Sequence, residues 1–262
     1  MTLKLWQPYP AREVWHTPTV AGTLLVWSDF HSPELDNHRD VLVYLPPSYS
    51  YEQRRYPVVY MHDGQNLFDS GTSFAGSEWH VDETMEMLAG EGIEAIVVGL
   101  NHGNEQRIAE YNPFPQHWQG RGEHYLQFII ETVKPVIDHD FRTRPEREST
   151  GIMGSSMGGL ISLYAFFHQP QVFGFAGVMS PALWIGGGAI YYDVEAAPYT
   201  PGKIYLDNGT REASARRMNA LLVKKGYRHE ADLKYVVEQD GEHTESAWAR
   251  RLPDALRFLL PR

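Results

Sequence analysis

Ser149-Thr150-Gly151-Ile152-Met153-Gly154-Ser155-Ser156-Met157-Gly158-Gly159-Leu160-Ile161-Ser162-Leu163-Tyr164-Ala165 is the stretch that decides how this chain reads. Ser149 to Gly154 predicts a short buried strand, and 157–168 predicts a helix. A tight turn centred on Ser156 joins them, in the pattern Gly-x-Ser-x-Gly. Such a turn lifts one hydroxyl to the end of a sheet, and the glycines leave room where a Cβ would clash between strand and helix. The amides that open the following helix face charge developing beside that hydroxyl. No Lys follows the glycines, so the turn does not read as a phosphate cradle.

Outward from this turn the elements alternate. Upstream, 22–30 and 38–45 read as antiparallel strands, the second closed by Pro46-Pro47. Val58-Val59-Tyr60-Met61 is short, apolar and β-branched, as expected of a strand buried on both faces. Residues 79–90 carry a helical pattern, Ile93 to Leu100 a strand, and 122–138 an amphipathic helix with Leu126, Ile129, Ile130 and Val133 on one side. Downstream, Phe173 to Met179, Lys203 to Asp207 and Asp232 to Glu238 read as strands, with helices over 212–225 and 245–259. Strand–helix alternation implies an α/β fold: a mostly parallel sheet covered on both faces, preceded here by antiparallel strands. One domain over residues 1–262 is expected. Asn101 to Gly122 and Trp184 to Gly202 read as irregular loops over the carboxyl edge of the sheet, where ligands bind. Trp184 is the candidate substrate contact, because it begins the glycine-rich loop that should overlook Ser156.

Composition narrows the chemistry. The 262 residues are 42% hydrophobic and 21% charged, with a formal net charge of -10. That charge argues against nucleic acid or anionic lipid as a partner. No apolar run approaches the roughly 20 residues that span a bilayer. Cys is absent, which removes disulfides, thiolate metal sites and a cysteine nucleophile. His-Glu-x-x-His and Gly-x-Gly-x-x-Gly are absent too, so neither a metal nor a dinucleotide cofactor is expected. His38-Arg39-Asp40 repeats a kinase tripeptide by coincidence, inside a strand. The N-terminal stretch lacks the apolar core of a signal peptide, so a cytoplasmic protein is expected; a mature secreted chain would look the same. Nothing in the sequence sets the oligomeric state.

A serine nucleophile needs a base and an acid. With the order Ser, acid, His, the base is His168, His229 or His243. His168 belongs to the helix behind the turn, and His229 lies at the opposite sheet edge. His243, in the turn after the last strand, is at the correct edge. The acid should lie near the end of the strand Lys203–Leu206, where Asp207 and Glu212 both qualify and Asp240 is a remote third.

With these residues in view, the chain resembles the esterase D / enterochelin esterase-like branch of the α/β-hydrolases, which includes feruloyl and acetylxylan esterase domains. The similarity runs through Tyr44-Leu45-Pro46-Pro47, Met61-His62-Asp63-Gly64-Gln65-Asn66-Leu67-Phe68, Glu78-Trp79, Gly154 to Gly159, Ser180-Pro181, Gly209-Thr210-Arg211-Glu212 and Gly241-Glu242-His243. It covers about residues 38 to 260. The resemblance implies an α/β-hydrolase fold without a separate cap domain, and it favours Glu212, after Gly209-Thr210, as the acid. It also implies that the amide of Gln65 joins that of Met157 in an oxyanion hole. The missing thiol, and Ser155 where formylglutathione hydrolases commonly have His, argue against that activity. The expected function is a serine carboxylesterase acting through an acyl-enzyme on short-chain or small aryl esters, including acyl groups on sugars. An acyltransferase with the same residues, or a non-catalytic binding protein on the same fold, is the alternative.

Overall fold

In the computed structural model, residues 5–10 and 14–261 are described; residues 1–4 of the N-terminal stretch lie outside them. Among the described residues, nine strands form one sheet in the order β1-β2-β3-β5-β4-β6-β7-β8-β9. Strands β1 (Gln7–Pro8), β2 (Thr23–Ser32) and β3 (Asn37–Leu45) are antiparallel, and β3 also pairs antiparallel with β5 (Ile96–Leu100). From β5 the sheet continues in parallel through β4 (Val58–His62), β6 (Thr150–Ser155), β7 (Phe175–Met179), β8 (Lys203–Gly209) and β9 (Leu233–Glu238). The expected mostly parallel sheet with antiparallel N-terminal strands is what forms.

The period of two along each strand divides the core. Val58 and Tyr60 of β4, with Ile96 and Val98 of β5, enter one apolar cluster; Val59, Met61 and Val97 enter the other. Every residue of β4, β5 and β7 is buried. Each large apolar side chain removed from water contributes about 1.5–3 kcal/mol, which is why these strands need no alternation with polar residues. Helices α1 (Val81–Ala89) and α8 (Glu245–Leu259) cover one face. The other is covered by α3 (Gly122–Gln127), α4 (Lys134–Asp140), α5 (Met157–His168), α6 (Ile185–Ala196) and α7 (Arg216–Lys225). The one-turn helix α2 (Arg107–Glu110) lies in the segment after β5.

Three expectations need correction. The helix over 122–138 is real but contains a π-helical turn, Phe128–Val133, between α3 and α4. The Trp184 to Gly202 segment is mostly helical: Gly186, Gly187 and Gly188 form a left-handed turn, and right-handed helix follows. Glycine signalled irregularity there, but its positive φ serves one local reversal before regular structure resumes. The helix assigned to 212–225 begins only at Arg216, so Glu212 precedes it. His38-Arg39-Asp40 does lie within a strand; Arg39 is buried and bonds Glu110 through both terminal guanidinium nitrogens at 2.8 and 3.0 Å.

Candidate active site

Six parallel strands release their chains at one edge of the sheet, and the candidate residues lie there. Ser156 joins β6 to α5 with φ 56° and ψ -118°, a conformation L-residues rarely adopt. Strain of this kind costs about 1–3 kcal/mol and persists only where the surroundings hold it. Here the Ser156 amide donates to Met179 O at 3.0 Å, while its carbonyl accepts from Ala182 and Leu160 at 2.9 and 3.0 Å. The neighbouring glycines are sterically required. A Cβ on Gly159 would lie 2.8 Å from Met179 O, and one on Gly154 would lie 2.7 Å from His62 Cδ2. The sequence pattern is therefore a packing rule.

His243 sits just before Thr244, whose hydroxyl caps α8 by accepting from the Ala247 amide. Its Nδ1 is 2.6 Å from Glu212 Oε2. Trp248 packs edge-on against the imidazole at 5.0 Å. Two loops hold this pair together: Arg211 donates to Gly241 O at 3.0 Å, and Asp240 donates to Thr210 Oγ1 at 2.8 Å. A Cβ on Gly209 would overlap Gly241 O at 2.1 Å, so close approach of the loops needs glycine. Glu212 has no help from a helix terminus, since α7 begins only at Arg216. Burial acts to raise its pKa, but hydrogen bonds from His243, the Gly209 amide and Ser180 Oγ outweigh burial and hold it below the ordinary carboxylate value. The Ser180 hydroxyl, 2.7 Å from Glu212 Oε1, accepts from Trp248 Nε1 at 2.9 Å and Arg251 Nη2 at 3.0 Å. Sequence reasoning missed this relay, because Arg251 and Trp248 read only as parts of an amphipathic helix.

Asp207, the other candidate acid, is fully buried, accepts from the Ser180 amide at 2.8 Å and forms an ion pair with Arg251 at 3.2 Å. No bond joins it to His243 among the described residues. Burial pushes its pKa up to about 7 despite Arg251.

Gln65 lies in the turn Gly64–Asn66 that follows β4, and Met157 is the first residue of α5. These are positions whose amides have no intrahelical acceptor. Asp63, at φ 56°, is held by a two-pronged ion pair from Arg107, at 2.6 and 2.8 Å. Ser156, His243 and Gln65 all line one cleft of about 560 Å³. Phe74, Trp79 and Trp248 give it an aromatic side; Asp63, His102, Asn104, Arg107 and Glu245 give it a polar one. Trp184 is not brought into this cleft: it is 54% exposed, outside the lining. The segment is anchored instead at Ala182, and the glycine turn starts directly beyond Trp184.

A half-buried serine at a strained strand-to-helix turn, lining one cleft with a histidine that is bonded to a carboxylate, is suited to acyl transfer chemistry. A family profile described as "Putative esterase" matches residues 32–259. The chain belongs to this esterase family. Among relatives of the esterase, the Bacillus subtilis protein YbbA is 26% identical over 242 residues, 85% of this chain and 92% of its own. The endo-1,4-beta-xylanase/feruloyl esterase of Xylanibacter ruminicola is 26% identical over 145 residues, 53% of this chain and 19% of that one. The solved enterobactin esterase FES of Shigella flexneri superposes with a TM-score of 0.71 at 20% identity, over 92% of this chain and 59% of that one. The esterase has the α/β-hydrolase fold of these neighbours. No helix among the described residues is long and apolar enough to cross a membrane.

Proposed function

We propose that this esterase cleaves carboxylic esters through a serine-bound acyl-enzyme. His243 takes the proton of Ser156 Oγ as the oxygen attacks the ester carbonyl, and the amides of Met157 and Gln65 hold the resulting oxyanion. The alcohol departs with the proton from His243. Water then attacks the acyl-enzyme by the same route and restores Ser156. Glu212 accepts from Nδ1–H, which leaves Nε2 free to face the serine and stabilises the imidazolium. The observation that carries this reading is the 2.6 Å contact between His243 and Glu212, with His243 lining the same cleft as Ser156.

On substrate, the cleft favours short-chain or small aryl acyl groups. Its aromatic side offers apolar area for a flat ring, while a long alkyl chain would desolvate the Asp63–Arg107 ion pair and offer it no hydrogen bond in return. The same polar wall suits a hydroxyl-rich alcohol, such as a sugar, on the other side of the ester. The feruloyl esterase relative, whose name specifies an aryl acyl ester, supports this choice. We read the described residues as one hydrolase domain. The test is a panel of aryl esters from acetyl to palmitoyl, with feruloyl esters and acetylated xylan, assayed on the wild type and on Ser156→Ala. Expected are highest kcat/KM for short or aromatic acyl groups and loss of turnover in Ser156→Ala. Activity rising steadily to palmitoyl contradicts the substrate assignment, and undiminished activity in Ser156→Ala contradicts the mechanism.

A further inference from the structure

A second chemically unusual place lies behind the aromatic wall of the cleft, where the chain enters α1. Glu78, His80 and Glu83 each present one ligand atom there, and the three atoms lie within 4.8 Å of one another. His80 Nδ1 is 3.8 Å from Glu78 Oε1 and 3.4 Å from Glu83 Oε1. The sequence spacing Glu78-x-His80-x-x-Glu83 has no zinc-motif form; the fold brings the groups together by placing His80 just before the first turn of α1.

Charge makes the place unusual. Glu78 is 2% exposed, and its Oε2 is buried without a hydrogen-bond partner. Asp82 and Glu83 are hydrogen-bonded to each other through their side chains. Among the described residues, no Lys or Arg pairs with Glu78, Asp82 or Glu83; His80 pairs with Glu78 and Glu83. Arg250, which borders the same small pocket, is bonded to Glu238 at 2.8 Å. Buried carboxylate oxygens without a donor or a cation are costly. The remaining polar atoms are already ordered: Thr19 Oγ1 donates to Glu78 Oε1, and the Ala21 amide donates to Asp82 Oδ2, each at 2.5 Å. These bonds orient the two carboxylates and leave Glu78 Oε2 without a partner.

We infer that Glu78, His80 and Glu83 bind a divalent transition-metal ion of the zinc type. One imidazole and two carboxylates are a zinc-type donor set, and calcium or magnesium would favour oxygen alone. Ligand atoms about 2.0–2.2 Å from a tetrahedral ion stand about 3.3–3.6 Å apart, and the two contacts to His80 are close to that. Water would fill the fourth position. Trp79, between two of the ligands, lines the substrate cleft, so the ion would fix one wall of the cleft and take no part in the ester chemistry. The inference is independent of the proposed mechanism.

The experiment uses the full chain, stripped with a chelator and titrated with zinc chloride by calorimetry and by thermal unfolding. Expected are one equivalent of zinc bound and a Tm raised by about 5 °C at saturation, with magnesium giving neither. His80→Ala and Glu83→Gln, at partly exposed positions, should keep the metal-free Tm and weaken binding at least about tenfold. Absence of saturable one-to-one binding, a preference for calcium over zinc, or undiminished affinity in both variants would overturn the assignment. The last result would place zinc elsewhere among the 12 histidines.

Discussion

Glu212 and Asp207 are carboxylates near the end of the same strand, and their surroundings shift them in opposite directions. Glu212 is held ionised by three hydrogen-bond donors, while Asp207 is raised to about 7 by burial. The raised group contributes stability at low pH that is lost as pH rises through about 7, so removing its charge should not harm the fold. Glu212→Gln is therefore expected to lose up to about 10⁴ in kcat with little change in KM. Asp207→Asn, which keeps the acceptor for the Ser180 amide, should hold kcat within about threefold and keep its Tm at pH 8. Steady-state kinetics and melting curves of both variants decide the matter, and the reverse pattern would give the role to Asp207. The meeting of Ser156 and His243 in one cleft was legible from the sequence because their signals are local: a glycine-flanked turn, and a histidine after the last strand. Glu212 was not separable from Asp207 by residue reading alone, since the donors that distinguish them, Ser180 and Arg251, arrive from β7's end and α8. The resemblance chose between them, and no helix dipole could have, because α7 starts four residues after Glu212.

At the scale of elements, the elbow rests on a buried histidine. His62 ends β4, packs beneath Gly154 and Gly158, and is hydrogen-bonded to Tyr125 Oη at 2.7 Å and Ser162 Oγ at 3.1 Å. Burial drives its pKa down to about 3, the neighbouring Asp63 and Arg107 acting in opposite directions. The folded imidazole is thus neutral where the unfolded one, near 6.5, takes a proton. Between pH 6.5 and about 3 the unfolded chain binds the extra proton, so this group costs stability as pH falls, by up to about 1.4 kcal/mol per pH unit. Urea denaturation from pH 7 to pH 4 should give a steeper loss for the wild type than for His62→Gln; parallel curves would contradict a neutral His62. Strands β4 to β9 and helices α5 and α8 were legible because period and turn chemistry agree along them. The glycine-rich segment after Trp184 was not, because three glycines signal freedom without saying that a left-handed turn will be followed by a helix. The Trp184 assignment rested on that loop.

For the whole molecule, strand–helix alternation was enough to give the α/β architecture, the parallel sheet and the edge that carries the site. The walls of the cleft were less legible. Phe74, Trp79, Arg107 and Trp248 come from four separate parts of the chain, and only the sheet order brings them beside Ser156. The buried carboxylate of Glu78, next to Trp79, was invisible for another reason: its spacing to His80 and Glu83 has no zinc-motif form. What unites the fold and the site is the prediction that Ser156 is the nucleophile, activated by His243 and Glu212. The most direct test is intact-mass and peptide mapping after treatment with an alkyl fluorophosphonate. One adduct per chain, on Ser156, is expected, absent in Ser156→Ala and formed far more slowly in His243→Ala. A folded wild-type chain that takes up no adduct, or takes it up at another residue, would contradict the assignment.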